Sequence, residues 1–204
     1  PVYAGVDPND GQALYYVDPD NGDYNTTDDY SKAKQSDLGS TLAKVYGGFG
    51  TQLNAYGVDL SVQFSYQLGG KLYDGTYEAL MHRGDGAGTN FHKDVLEAWT
   101  PENPNAKYPT YVWADQLGKR NYCRSSSMFA YNGNYIALRE LSLSYKLPSI
   151  LVQKAKLSNV ELSITGQNLG YLTEAKHLFS PEKADNNGGY PLPRTIIFGV
   201  NVSF

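Results

Sequence analysis

Hydrophobic and polar residues alternate strictly over long stretches of this chain. Within 58–68 the even positions are Val58, Leu60, Val62, Phe64, Tyr66 and Leu68, and the odd ones are Asp59, Ser61, Gln63, Ser65 and Gln67. Successive side chains of a strand point to opposite faces, so a period of two predicts a strand with one apolar and one polar face. The last ten residues repeat the pattern: Ile196, Phe198, Val200, Val202 and Phe204 share one face, and Thr195, Gly199, Asn201 and Ser203 the other, with Ile197 the exception. A third strand sets Val160, Leu162 and Ile164 against Glu161, Ser163, Thr165 and Gln167. A weaker one over 44–55 sets Val45, Phe49 and Leu53 against Lys44, Gln52 and Asn54. The fifth stretch, 128–147, changes phase: Ile136 and Leu138 are even, but Leu141, Leu143, Tyr145 and Leu147 are odd. A slip of one residue flips every following side chain, so a bulge at Arg139 and Glu140 is predicted to reconcile the halves.

The connections alternate in length. Tyr56 and Gly57 form a tight turn, and 148–157 is a short link, whereas 1–43, 71–127 and 170–193 are long. The predicted organisation is a loop over 1–43, a hairpin over 44–70, a long loop over 71–127, two strands over 128–169, a loop over 170–193 and a final strand over 194–204. Tight turns then lie at one end of the sheet and long loops at the other. Within the longest loop, Asn90 is placed to cap a short helix carrying Phe91, Val95 and Trp99 on one face and stopped by Pro101. A second helix is predicted over 76–83, followed by Gly84.

Composition narrows the class. No stretch approaches the ~18 uncharged apolar residues of a membrane-spanning helix, and mean hydropathy is −0.47. A net charge of −4 argues against a nucleic-acid surface, which needs a basic stripe. Hydrophobic residues at 41% with 13% aromatics argue against disorder. Cys123 is the only cysteine, which leaves no internal disulfide and no cysteine metal cage. The 21 glycines and 18 tyrosines fit β-structure with many turns. With no initiator Met and no signal peptide at Pro1, the chain reads as a mature or cut piece.

Half-apolar antiparallel strands fit a soluble sandwich, apolar face inward, or a membrane barrel, apolar face toward lipid and polar face toward a lumen. Eleven residues at ~3.4 Å span roughly 37 Å, or about 28 Å along the axis after a tilt of about 40°, close to a barrel's apolar band of about 25 Å. Barrels also carry short turns on the periplasmic side and long loops outside, and this chain ends on an aromatic in a strand, with no tail. In the barrel reading Val58, Leu60, Val62, Phe64, Ile196, Phe198 and Val200 face lipid. Five strands would close at a diameter of only about 10 Å, too narrow for the inner side chains. The expectation is therefore an all-β, antiparallel transmembrane β-barrel segment, about five C-terminal strands of a larger barrel, with long extracellular loops containing short helices.

Several segments then resemble the C-terminal part of SusC/RagA-type TonB-linked outer-membrane transporters of Bacteroidetes: WTPENPNAKYP over 99–109, YIALRELSLSYKLP over 135–148, GQNL over 166–169 and YPLPRTIIFGVNVSF over 190–204, in the family's order. The glycine pairs Gly47-Gly48 and Gly69-Gly70 also match. Ala137 departs from the family, which more often has Arg there. The resemblance implies a 22-stranded barrel in the outer membrane, with its C-terminus on the periplasmic side. It further implies an N-terminal plug and TonB box outside this chain, energy from TonB, and a SusD-like surface lipoprotein that captures a glycan or peptide substrate. No cofactor is implied. The alternatives are a soluble glycan-binding β-sandwich and a passive porin-like barrel.

Individual residues carry further expectations. Gly199, Val202 and Phe204 resemble the assembly signal read by the outer-membrane insertion machinery, a sheet-edge strand ending in an aromatic; Ile197 does not fit its polar position. Trp99, Tyr108, Tyr111 and Trp113 in the long loop can stack on sugar rings or meet a partner protein, or they can form the loop's own core. The acidic run Asp7, Asn9, Asp10, Asp18, Asp20, Asn21, Asp23, Asp28 and Asp29 lacks EF-hand spacing, because Asp23 stands where Gly is needed, and reads as a solvated loop. His82, His92 and His177 lack metal-ligand spacing, and Cys123 reads as a lone thiol. The glycines of 47–50 lack the strand–helix context of a phosphate loop. No Ser-His-Asp order or carboxylate pair points to an enzyme.

Overall fold

A computed structural model describes residues 1–81, 88, 90–112, 123–176, 178, 180–183 and 192–204. In chain order its strands are β1 (Tyr3–Val6), β2 (Ala13–Asp18), β3 (Asp23–Thr27), β4 (Val45–Ala55), β5 (Val58–Leu68), β6 (Lys71–Tyr73), β7 (Ala130–Asn132), β8 (Tyr135–Lys146), β9 (Asn159–Thr173) and β10 (Thr195–Ser203). The helices are α1 (Gly75–Leu80) and α2 (Ser149–Lys154). They form two compact units, one built mainly from Pro1–Ser40 and Lys71–Asn132, the other from Thr41–Gly70, Gly133–Glu182 and the final strand.

The second unit is one antiparallel sheet in the order β10-β9-β8-β5-β4. β4 and β5 pair without a slip from Val45↔Leu68 to Ala55↔Val58. Their two-residue turn puts Tyr56 at φ 53° and Gly57 at φ 83°, the double positive φ of a type I′ hairpin, whose twist matches that of its strands. Lys146 N–H donates to the Gly57 carbonyl at 2.7 Å, tying that turn to β8. The link between β8 and β9 is the one-turn helix α2, with Val152 buried. Among the described residues β4 and β10 each pair on one side only, so the sheet is open.

The predicted phase change is present. Gln63 pairs with Glu140 and Phe64 with Leu138, which leaves Arg139 as an extra residue on β8. The irregularity grows on the next strand, where Leu138 pairs with Gly170 and Glu140 with Gln167, so Asn168 and Leu169 face the single Arg139. Asn168 absorbs it at φ 52°, a left-handed conformation that Asn tolerates better than most residues.

Three boundaries differ from the sequence pattern. The long strand expected from residue 128 begins at Tyr135, because Ala130–Asn132 pair with Lys71–Tyr73 instead. β9 runs on to Thr173, past the expected end at Leu169, because beyond the bulge it keeps pairing up to Tyr135↔Thr173. The stretch 1–43 carries the three-stranded sheet β1-β2-β3. Its core is aromatic rather than aliphatic: Tyr15 is buried and meets Tyr3 and Tyr30 edge-on, with ring centroids at 5.9 and 5.2 Å.

The helices of the first unit are shorter than predicted. α1 is capped by Asp74, whose Oδ1 accepts from Tyr77 N–H at 2.8 Å. The second is a 3-10 turn over Lys93–Glu97, capped by His92 Nδ1 rather than by Asn90. It stops early because Trp99 N–H donates to the Tyr108 carbonyl at 2.9 Å, and Ala98 forms a bridge with Tyr108.

Candidate functional site

The five-stranded sheet separates chemistry by face. Following the register across all five strands, Leu53, Leu60, Leu143, Ile164 and Phe198 form one continuous row. The row nearest the turns is Ala55, Val58, Tyr145, Leu162 and Val200, and on its other side lies Thr51, Val62, Leu141, Gly166 and Ile196. All seven positions expected to face lipid, Val58, Leu60, Val62, Phe64, Ile196, Phe198 and Val200, stand on this apolar face. Phe198 and Val200 remain 78% and 69% exposed. Phe49 stacks on Phe64 with centroids 5.0 Å apart on the same face.

The opposite face is polar and bonded to itself. Asn54, Asp59, Ser144, Ser163 and Gly199 lie in register, as do Gln52, Ser61, Ser142, Thr165 and Ile197. The Ser142 and Thr165 hydroxyls are 2.8 Å apart, Gln167 donates to Glu140 at 3.3 Å, and Lys146 pairs with Asp59 at 3.6 Å. The bulge places Arg139 so that its Nε donates to Ser65 Oγ at 2.6 Å while its guanidinium forms an ion pair with Glu182. Here the hydrogen bonding is internal, and the hydrophobic surface is the one left bare. A water-soluble sheet has the reverse economy.

Of the assembly-signal positions, Gly199 pairs with Ser163 on the polar face and Val202 with Val160 on the apolar face. Phe204 follows the last strand residue and is 93% exposed.

The loop aromatics serve mostly their own unit. Tyr108, expected as a possible contact residue, is buried at 1% exposure, because its hydroxyl has an internal partner. Asp94 Oδ2 accepts from Tyr77 at 2.7 Å and from Tyr108 at 3.0 Å, and the two phenol oxygens lie 2.7 Å apart. Burial, followed by the Tyr108 and Asp94 hydrogen bonds, pushes the Tyr77 phenol far above its ordinary value near 10. Trp99 lies against Gly11, where a Cβ would meet the indole at 2.5 Å, and its Nε1 donates to the Pro8 carbonyl at 3.3 Å. Tyr111 meets Phe91 edge-on at 5.6 Å and stays partly exposed. Trp113, His82 and His177 lie outside the described residues. Cys123 is a buried free thiol.

The acidic run is engaged in turns. Asp7 Oδ1 accepts from Asn9 N–H at 2.8 Å, Asp23 Oδ1 from Asn25 N–H at 3.1 Å and Asp29 Oδ1 from Ser31 N–H at 3.0 Å. Lys34 pairs with Asp18. Among the described residues no three His, Cys, Asp or Glu gather as metal ligands.

The sequence reading missed Asn168 and Glu182. A possible signal for the first was an Asn inside an apolar-periodic strand; nothing local announces the second.

These features define an all-β, antiparallel segment of a membrane-type barrel, open at both edges. No family model matches the chain. It is 29% identical over its whole length to TonB-dependent receptor P3 of Formosa agariphila, covering 21% of that protein, and 29% identical over 82% of its length to TonB-dependent receptor P26 of the same organism, covering 18%. Among solved structures it matches a chain of the RagAB peptide transporter with a TM-score of 0.76 and 25% identity, covering all of this chain and 22% of that one. The open-open state of the RagAB peptide importer gives 0.73 and 26% with the same coverage. The chain is thus homologous to TonB-dependent receptors and shares the fold of part of a SusC-like transporter. It spans about a fifth of the length of these relatives.

Proposed function

We propose that this chain forms part of the barrel wall of a TonB-dependent importer in the outer membrane, working with a SusD-like surface lipoprotein on oligosaccharides or peptides. The observation that carries the reading is the bare apolar face, continuous across five strands, backed by a self-bonded polar face. Lipid is the solvent such a face needs, and the polar face suits a lumen. A soluble sandwich would instead bury the apolar rows against a second sheet. In this reading the Tyr56-Gly57 turn and α2 lie on the periplasmic side, the loop segments 1–43 and 71–127 are extracellular, and β10 is the assembly strand read through Gly199, Val202 and Phe204. Trp99 and Tyr111, both partly exposed, and Trp113 by its place in the same stretch of sequence, are then the loop aromatics proposed to meet substrate or lipoprotein. The role is transport, with energy delivered by TonB to parts of the protein beyond this chain. The relatives' names favour a TonB-linked receptor over a passive porin, and the RagAB likeness favours peptide as the cargo class to test first.

The test is uptake by cells carrying the full-length protein as their only copy, using a labelled oligopeptide mixture and a labelled oligosaccharide mixture. Accumulation of one of them that stops on deletion of TonB or collapse of the proton-motive force is the expected result. Uptake indifferent to both would overturn the proposal in favour of passive diffusion.

A further inference from the structure

The connection between β8 and β9 carries more than a turn requires. Val152 is buried and pins α2 to the sheet, while Ile150 and Leu151 are 71% and 56% exposed. Lys154 follows them at i+4 and i+3, so all three share one helix face. Lys156 comes two residues later, exposed and held at φ 58°. Over 145–159 there are three lysines and no Asp or Glu, in a chain of net charge −4. Lys146 is committed to Asp59 on the polar face. Lys154 lies one turn from the exposed aliphatic pair, and Lys156 follows just past the end of the helix.

The surroundings continue the apolar face. Tyr145 and Val58 pair at the start of the row that runs through Leu162 to Val200, and fully exposed Tyr56 sits in the adjoining hairpin turn. An aliphatic pair with lysines one turn on is the arrangement in which side chains bury their stems in the acyl boundary and reach with their ammonium groups for phosphate.

We propose that the α2 turn is a binding site for anionic glycerophospholipid headgroups, with Lys154 and Lys156 on the phosphates and Ile150 and Leu151 in the acyl boundary below them. The inference rests on the membrane-barrel reading. Its occupant is the leaflet at the turn end of the sheet, and charge complementarity with continuity of the apolar rows selects that occupant.

The test uses the full-length receptor inserted into bilayers of phosphatidylethanolamine and phosphatidylglycerol, extracted in mild detergent, with the retained lipid quantified by mass spectrometry. The wild type retains phosphatidylglycerol above its share of the bilayer. Each lysine near an anionic surface is worth about fivefold, so K154Q and K156Q each lower the retained ratio about fivefold and the double variant more. Lys44→Gln, at the opposite end of the sheet, leaves it unchanged. A wash of the wild type in high salt also releases the anionic lipid, which checks the charge dependence without any substitution. An unaltered ratio in the double variant, inserted and still heat-modifiable on a gel, overturns the proposal. A wild-type protein that never inserts overturns the barrel reading instead.

Discussion

Arginine scanning down β5 tests the face assignment and the membrane depth together. The strand runs from Val58 to Leu68 with Gln63 at its middle, and each residue advances about 2.6 Å along the barrel axis at ~3.4 Å rise and a tilt of about 40°. Val62 then lies about 3 Å from the midplane, Leu60 about 8 Å and Val58 about 13 Å, the last at the edge of a band about 25 Å tall. A lipid-facing arginine costs ~2–4 kcal/mol at the midplane and ~0–1 near the interface. Val62→Arg is therefore expected to cost the full ~2–4 kcal/mol, Leu60→Arg an intermediate amount and Val58→Arg under about 1 kcal/mol. Gln63→Arg, one residue from Val62 but on the polar face opposite Glu140, is expected to stay within about 0.5 kcal/mol of wild type. The assay is reversible guanidinium unfolding of the full-length protein in the presence of lipid vesicles. Equal costs at Val62 and Gln63 would show that the faces are wrongly assigned, and a flat series from Val62 to Val58 would show that the strand does not cross the bilayer.

Other substitutions address the bulge and the first unit. Asn168→Val forces a β-branched residue into a left-handed conformation and is expected to lower stability by about 1–3 kcal/mol, with Asn168→Gly close to neutral, in the same unfolding assay. Gly11→Ala adds a methyl against the Trp99 ring at a positive φ of 73°; limited proteolysis of the native protein should cut near 7–11 several times faster. The Tyr77 phenol is neutral and raised in the folded state, so its contribution is complete below the unfolded value near 10 and falls away as pH climbs above it toward the folded value. Proteolytic resistance of this unit should then decline only above about pH 10, and Tyr77→Phe should weaken that alkaline decline.

The five-stranded sheet was legible because its apolar and polar faces impose opposite demands on alternate residues, so the period of two survives along whole strands. Even the bulge at Arg139 could be read, since the apolar phase on either side of it disagrees. The first unit was opaque for the complementary reason. Its strands are three to six residues long, and its cores rest on tyrosines whose hydroxyls seek buried partners. Tyr108 can be read from the sequence as a contact residue or as part of the loop's own core, and only Asp94 and Tyr77 beside it decide for the core. Glu182 was invisible because the ion pair it makes with Arg139 spans 43 positions.

The stepwise bulge, absent on β5, one residue on β8 and one more on β9, divides the sheet into two stretches whose alignments are set separately. Below it the register is fixed by the hairpin turn and α2; above it, by Asn168 and the residues that follow. That makes the bulge a natural splice line. The portion of β8 and β9 beyond it, together with the loops they carry, could be exchanged with that of a relative while the portion on the hairpin side keeps its pairing. Sequence change at the long-loop end of the sheet can then proceed without disturbing the register at the hairpin end.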